Sequence, residues 1–331
     1  MQQENEIISL TIQYLRVPAG AAVLSCKGFG CAVRLPEKVG GLPVRQICAY
    51  AFSSPEAALA RLPNPAKVRC EKAGGAAVPG GTEKYLGGPS LREVFLPGEV
   101  ETIGEYAFYN CTGLIRLSLG VGATRVGNGA FMNCGALREI HFSAAPNEVT
   151  CLPGLLTEIQ REIRVVFSDG GESSVWIFPE YFEESVENAP ARIFEHFIHG
   201  AGYRYRQCFQ GGRLNAEDYD RQFPMARVEA EPQTVLRIAL ERLRHPYCLS
   251  ESSARQYFEH LRENAAAAAE LLISEDDPQG LVFLTEHCVL TQESIGDAVE
   301  AAARTGRAEC LSVLLNERHS RFAPEEKTFD L

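Results

Sequence analysis

The amino-acid sequence predicts a repeat protein of α/β to α+β class. It reads as a short solenoid of 23-residue coils closed by a β-hairpin, followed by an all-helical domain of helix pairs. Three observations carry this prediction. Two motif series in the N-terminal half share one 23-residue period. Two β-rich runs then flank a tight-turn signal, and from Pro232 onward the apolar residues fall at helical spacing.

The composition fits that class. The chain has 331 residues, 45% hydrophobic, 23% charged and 9% aromatic, which excludes a disordered or collagenous chain and suffices for two domains with cores. A formal net charge of −11 argues against a dedicated nucleic-acid binder, which needs a basic footprint. No stretch reaches the roughly 18 apolar residues that a membrane span requires, so no membrane insertion is expected. The opening MQQENEIISL lacks a basic segment followed by an apolar one. The 11 cysteines are scattered and form no CxxC pair. They read as reduced, small buried hydrophobes, and the expected location is cytoplasmic.

Taken in chain order, the repeat comes first. Ile47-CAY-Ala51-Phe52, Ile103-GEY-Ala107-Phe108 and Val126-GNG-Ala130-Phe131 line up. A second series, Leu91-REVFL, Leu114-IRLSL and Leu137-REIHF, keeps the same 23-residue register. Phe108 follows Phe52 by 56 residues instead of 23, which places an insertion of about 33 residues at 54–87. That segment is rich in Ala, Gly and Pro without an apolar period, so it predicts a partly mobile surface loop.

The motif Leu-x-x-hydrophobic-x-Leu-Pro, then Val-x-x-Ile-Gly-x-x-Ala-Phe-x-Asn-Cys, is matched almost throughout at 91–111. It resembles the BspA-type leucine-rich repeat. Val33-R-Leu35-Pro36-EKV-Gly40-Gly41-Leu42-Pro43-Val44-RQIC looks like the opening coil of the same family, and the resemblance spans residues 22–142. It implies a solenoid with a protein-binding or structural role and no conserved chemistry. It also implies an alternative location at the cell surface.

Alternation along each coil's strand sends Val94, Leu96, Leu117, Leu119, Ile140 and Phe142 inward. Two ladders then face outward. Glu93, Arg116 and Glu139 alternate in charge, which supports strand pairing by about 0.2–1 kcal/mol per pair. Phe95, Ser118 and His141 place two ring-bearing residues on an exposed sheet, where they read either as a contact surface or as a face covered by the C-terminal half. Phe52, Phe108 and Phe131 predict a stacked inner spine. Asn110-Cys111 and Asn133-Cys134 predict small buried slots beside turns whose backbone the asparagines satisfy.

Ile163-R-V-V-Phe167 and Val175-W-I-Phe178 flank Asp169-Gly170 and predict a hairpin at 163–178 that ends the first domain, 1–178. The second domain, 179–331, reads as helical. Glu180, Glu183, Glu184 and Glu187 sit at helical spacing and predict an acidic helix face, either solvated or a docking surface. His196 and His199 lie three apart on that predicted helix, with no third metal ligand at a set distance. Tyr203-Arg204-Tyr205-Arg206 predicts a buried Tyr/Arg pairing with the acidic helix. Later units open at Leu249 and Leu290, the first with a leading helix continuing through Ala265–Ala269. The segment Ala301–Leu315 is similar to an ankyrin-type helix pair.

Motifs for chemistry are missing from the sequence. Gly28-F-Gly30 lacks the third glycine of a dinucleotide loop, and there is no GxSxG, GxxxxGK[ST] or HExxH. No catalytic, cofactor-binding or metal residue is assigned. The leading expectation is therefore a non-catalytic protein–protein interaction module whose partner is another protein. A surface binding protein of BspA type is the alternative, and an enzyme with a site in 180–230 is the third reading. The charge divides unevenly. Residues 1–142 hold 14 Lys and Arg against 11 Asp and Glu, a net +3, whereas residues 143–331 hold 18 against 32, a net −14. The acidic half is expected to attract the basic half or to face a basic partner.

Overall fold

The computed structural model describes residues 9–74, 82–188 and 193–322. Two compact units divide the chain, Met1–Gln222 and Phe223–Leu331. Residues 179–222, which the sequence assigns to a helical domain, thus belong to the first unit.

That unit begins with an antiparallel pair, β1 (Leu10–Val17) and β2 (Gly20–Gly28). The coils follow with β3 (Ala32–Arg34), β4 (Lys38–Val39) and β5 (Leu42–Ile47). The segment read as a plain surface loop contains a short helix, α1 (Pro55–Ala60), and two strands, β6 (Arg69–Ala73) and β7 (Lys84–Tyr85). Ser54 caps α1 by accepting from Ala57 N at 3.2 Å. β6 pairs with the open edge of β1, and β7 pairs with β2. Edge pairing uses backbone groups, so the sequence of β6, RCEKA, carries no apolar alternation to read. Residues 75–81 of the insertion lie outside the described residues.

The next strands are β8 (Glu93–Phe95), β9 (Thr102–Ile103), β10 (Arg116–Gly120), β11 (Arg125–Val126) and β12 (Glu139–Ser143). β8, β10 and β12 pair in parallel, with Arg116 opposite both Glu93 and Glu139. β5, β9 and β11 form a second parallel series. The β3/β5, β8/β9 and β10/β11 segments thus each give one strand to each of two sheets, and the core lies between them. Val94, Leu96, Leu117, Leu119, Ile140 and Phe142 are all buried there. Phe52, Phe108 and Phe131 stack with ring centroids 4.9 Å apart at both steps and interplanar angles of 4° and 17°. Truncating one would cost about 3–5 kcal/mol. Cys111 donates its thiol to Phe52 O at 3.3 Å, and Cys134 repeats the bond to Phe108 O at 3.2 Å. Asn110 and Asn133 turn the chain at φ 60° and 64°, and Asn133 Nδ2 donates to Asn110 Oδ1 at 2.8 Å.

A helix, α2 (Leu152–Glu158), precedes β13 (Ile163–Asp169) and β14 (Glu172–Phe178). β13 adds in parallel to β12, and β14 returns antiparallel through Gly170 and Gly171 at φ 56° and 99°, the conformation a two-residue turn requires.

The predicted acidic helix is a second hairpin. β15 (Phe182–Asn188) and β16 (Ile193–His199) pair antiparallel. A helix could not run through Pro190, and Phe182, Val186 and Phe197 favour extended backbone. His196 and His199 accordingly stand on a strand. α3 (Gly202–Tyr205), β17 (Phe209–Gln210), β18 (Arg213–Leu214) and α4 (Ala216–Arg221) complete the unit. Here Tyr219 packs edge-on against Trp176 at 4.9 Å and Tyr205 at 4.6 Å, and its hydroxyl donates to Ile177 O at 2.6 Å.

The second unit is helical: α5 (Phe223–Glu229), α6 (Pro232–Arg244), α7 (Glu251–Glu263), α8 (Ala265–Ser274), α9 (Pro278–Glu286), α10 (Gln292–Thr305) and α11 (Ala308–Phe322). Ser250, Asp277 and Thr291 cap their helices through side-chain oxygens, and Gly306 ends α10 at φ 71°. The single long helix expected through Ala265–Ala269 is two helices, broken at Asn264, whose φ of −123° leaves the helical region.

Candidate protein-binding surface

Alternation along β8, β10 and β12 exposes one side chain in two, and the parallel register aligns them in rows. The first row is Glu93, Arg116, Glu139 and Arg164. Glu139 is its hub. It accepts from His141 Nε2 at 2.6 Å, Arg116 Nε at 2.7 Å and Arg164 Nη1 at 3.1 Å. Arg116 also reaches Glu93 at 3.5 Å. The hydrogen bond with His141, reinforced by that from Arg116, lowers the Glu139 pKa to about 2.

The second row is Arg34, Phe95, Ser118 and His141. The Arg34 guanidinium lies 3.8 Å above the Phe95 ring centroid, a cation–π contact. Beside this row, a groove of about 380 Å³ is walled by Leu10, Leu35, Phe95, Leu96 and Pro97, with Arg34 and Glu37 as polar members.

The structure thus brings Phe95, Arg116, Ser118, Glu139 and His141 onto one half-exposed face. It adds Arg34 and Arg164, which the sequence does not disclose. Arg164 lies 25 residues beyond Glu139, whereas Glu93, Arg116 and Glu139 are spaced by 23. The insertion hides the alignment of Arg34 with Phe95. The four acidic residues do not join this face or form one of their own. Glu183 and Glu187 share one side of β15, Glu184 takes the other, and Glu180 precedes the strand.

Nor do the described titratable residues of 180–230 assemble into one site. His196 meets Ser185 at 2.9 Å and His199 meets Glu184 at 3.2 Å, both on the exposed hairpin. Tyr205 and Tyr219 are buried packing groups. Arg206 is buried as well, but it donates to backbone carbonyls instead of pairing with an acidic helix, and burial lowers its pKa to about 10. Among the described residues, no group of three or more His, Cys, Asp or Glu could hold a metal ion. No helix among them is long and apolar enough to cross a membrane.

Residues 82–152 match the BspA type leucine rich repeat region, in 6 copies. No curated protein and no solved structure matches the chain. The matched leucine-rich-repeat span contains β8, β10 and β12, and with them Phe95, Arg116, Ser118, Glu139 and His141.

Proposed function

We propose that this protein is a non-catalytic protein–protein interaction module, and that the outer face of its leucine-rich-repeat sheet is the binding surface. The observation that carries the reading is the Glu139 hub, which holds Arg116, His141 and Arg164 in fixed positions beside Phe95 and its groove. A rigid face of charged and aromatic side chains keeps its ordering cost on binding low. Leucine-rich-repeat regions commonly serve protein–protein interaction, and stacked coils present extended surfaces. In this reading the 23-residue coils form a short solenoid with β13 and β14 closing its end. The pairs α8/α9 and α10/α11 are ankyrin-like units of a second, helical scaffold. The partner is another protein, met in the cytoplasm.

The test is affinity capture from the native cells at two salt concentrations, using wild type and a Phe95→Ala/Arg116→Ala/His141→Ala variant. A specific protein retained by wild type and lost from the variant supports the proposal. Identical recovery by both chains, or no specific protein, contradicts it.

A further inference from the structure

The hairpin β15–β16 leaves the first unit as an arm. Among the described residues its strands pair with each other and with no third strand. Its base is fixed at both feet. Arg206 Nη1 donates to Pro179 O at 2.5 Å, three residues before β15, and to Gly202 O at 2.9 Å, three residues after β16. The same guanidinium ties both feet to the end of α2 through the carbonyls of Leu156, Ile159 and Arg161. It also lies 4.8 Å from the ring centroid of Tyr181.

Beyond this base the arm is solvated on both faces. Phe182 is 54% exposed, Ile198 46%, Phe197 44% and Val186 36%. An isolated two-stranded hairpin is marginal in water, and clustered exposed apolar side chains mark an interaction site. The charge says which kind. Residues 180–199 carry Glu180, Glu183, Glu184, Glu187 and Glu195 against a single basic residue, Arg192. Two such arms laid together would oppose like charges, which disfavours a second copy's arm as the occupant. β15 carries three of these carboxylates and β16 one, so the outer edge of β15 is the more acidic.

We propose that the arm docks a basic, extended segment of another protein by antiparallel strand addition along β15. Cationic side chains stand opposite Glu183, Glu184 and Glu187, and apolar ones opposite Phe182 and Val186. Backbone hydrogen bonds along the open edge supply affinity, and the alternating carboxylates and apolar groups supply the choice of partner. This surface lies outside the leucine-rich-repeat match and is independent of the sheet face proposed above.

The experiment titrates the full chain against two labelled peptides and follows fluorescence anisotropy. One has the core Lys-Val-Thr-Lys-Lys-Val, and the other has Glu at each Lys. The same titrations use Glu183→Lys/Glu184→Lys/Glu187→Lys and Phe182→Ser/Val186→Ser, with amide exchange locating the site. All five positions are exposed, and a thermal melt matching wild type confirms that each variant folds. Wild type is expected to bind the basic peptide alone, with affinity falling as salt rises and β15 amides gaining protection. The charge-reversed chain is expected to prefer the acidic peptide, and the serine variant to bind the basic one about tenfold more weakly. Equal binding of both peptides, or protection away from β15, overturns the proposal. So does dimerisation of the full chain that charge reversal abolishes, which assigns the arm to a second copy.

Discussion

Glu158 Oε2 accepts the backbone N–H of Phe131 at 2.7 Å, while Oε1 accepts that of Gly129 at 2.6 Å. In earlier coils the equivalent donors bond to the coil that follows. Tyr50 N and Phe52 N donate to Glu105 O and Ala107 O, and Tyr106 N and Phe108 N donate to Asn128 O and Ala130 O. The last coil has no successor, so one carboxylate at the end of α2 stands in for two carbonyls.

Glu158→Ala is therefore expected to destabilise the first unit by about 1.5–3 kcal/mol, the range for hydrogen bonds to a charged group. Glu158→Gln, which keeps one acceptor, should lose less. Urea denaturation of the full chain measures both. Equal stability of wild type and the alanine variant would show that the last coil needs no acceptor there.

Glu139 makes the sheet acid-sensitive. Its pKa falls from the ordinary 4.5 to about 2 because His141 and Arg116 hold the charged form. A carboxylate whose pKa is lower in the folded state stabilises fully above its ordinary value and loses that contribution as pH falls through the folded one. The melting-temperature gap between wild type and Glu139→Gln should shrink as pH falls below about 4.5 and close near 2. Partial exposure of the network keeps the gap modest. A gap independent of pH from 6 to 2.5 would dispose of the hub.

The thiols divide by burial. Cys26, Cys111, Cys151 and Cys208 are buried and their pKa values are pushed up to about 12, whereas Cys31, Cys70, Cys248 and Cys288 are exposed. A thiol-disulfide reagent at pH 8 should modify the four exposed cysteines quickly and the buried set only after denaturation. Rapid modification of Cys111 or Cys134 in the native chain would contradict their bonds to Phe52 O and Phe108 O.

The sequence discloses what repeats. Phe52, Phe108 and Phe131, the paired Asn-Cys turns and the Glu93–Arg116–Glu139 row are legible because each coil gives the same position the same environment. Glu158 and Arg206 are not legible. Each occurs once and bonds to backbone atoms far along the chain, which leave no side-chain pattern. The arm is misread because Glu180, Glu183, Glu184 and Glu187 match a helical period by coincidence. Pro190 and the aromatic and β-branched residues around it are the opposing signal.

The most direct measurement of the central claim, that the outer sheet face binds a protein, is site-specific photocrosslinking in the native cells. A photoreactive phenylalanine replaces Ser118 on that face or, as control, Met132, which is 46% exposed on a turn of the same repeat. The account predicts a discrete protein adduct from position 118, absent from position 132 and lost when Arg116→Glu is added. Position 118 giving no adduct, or the same adducts as position 132, would contradict it.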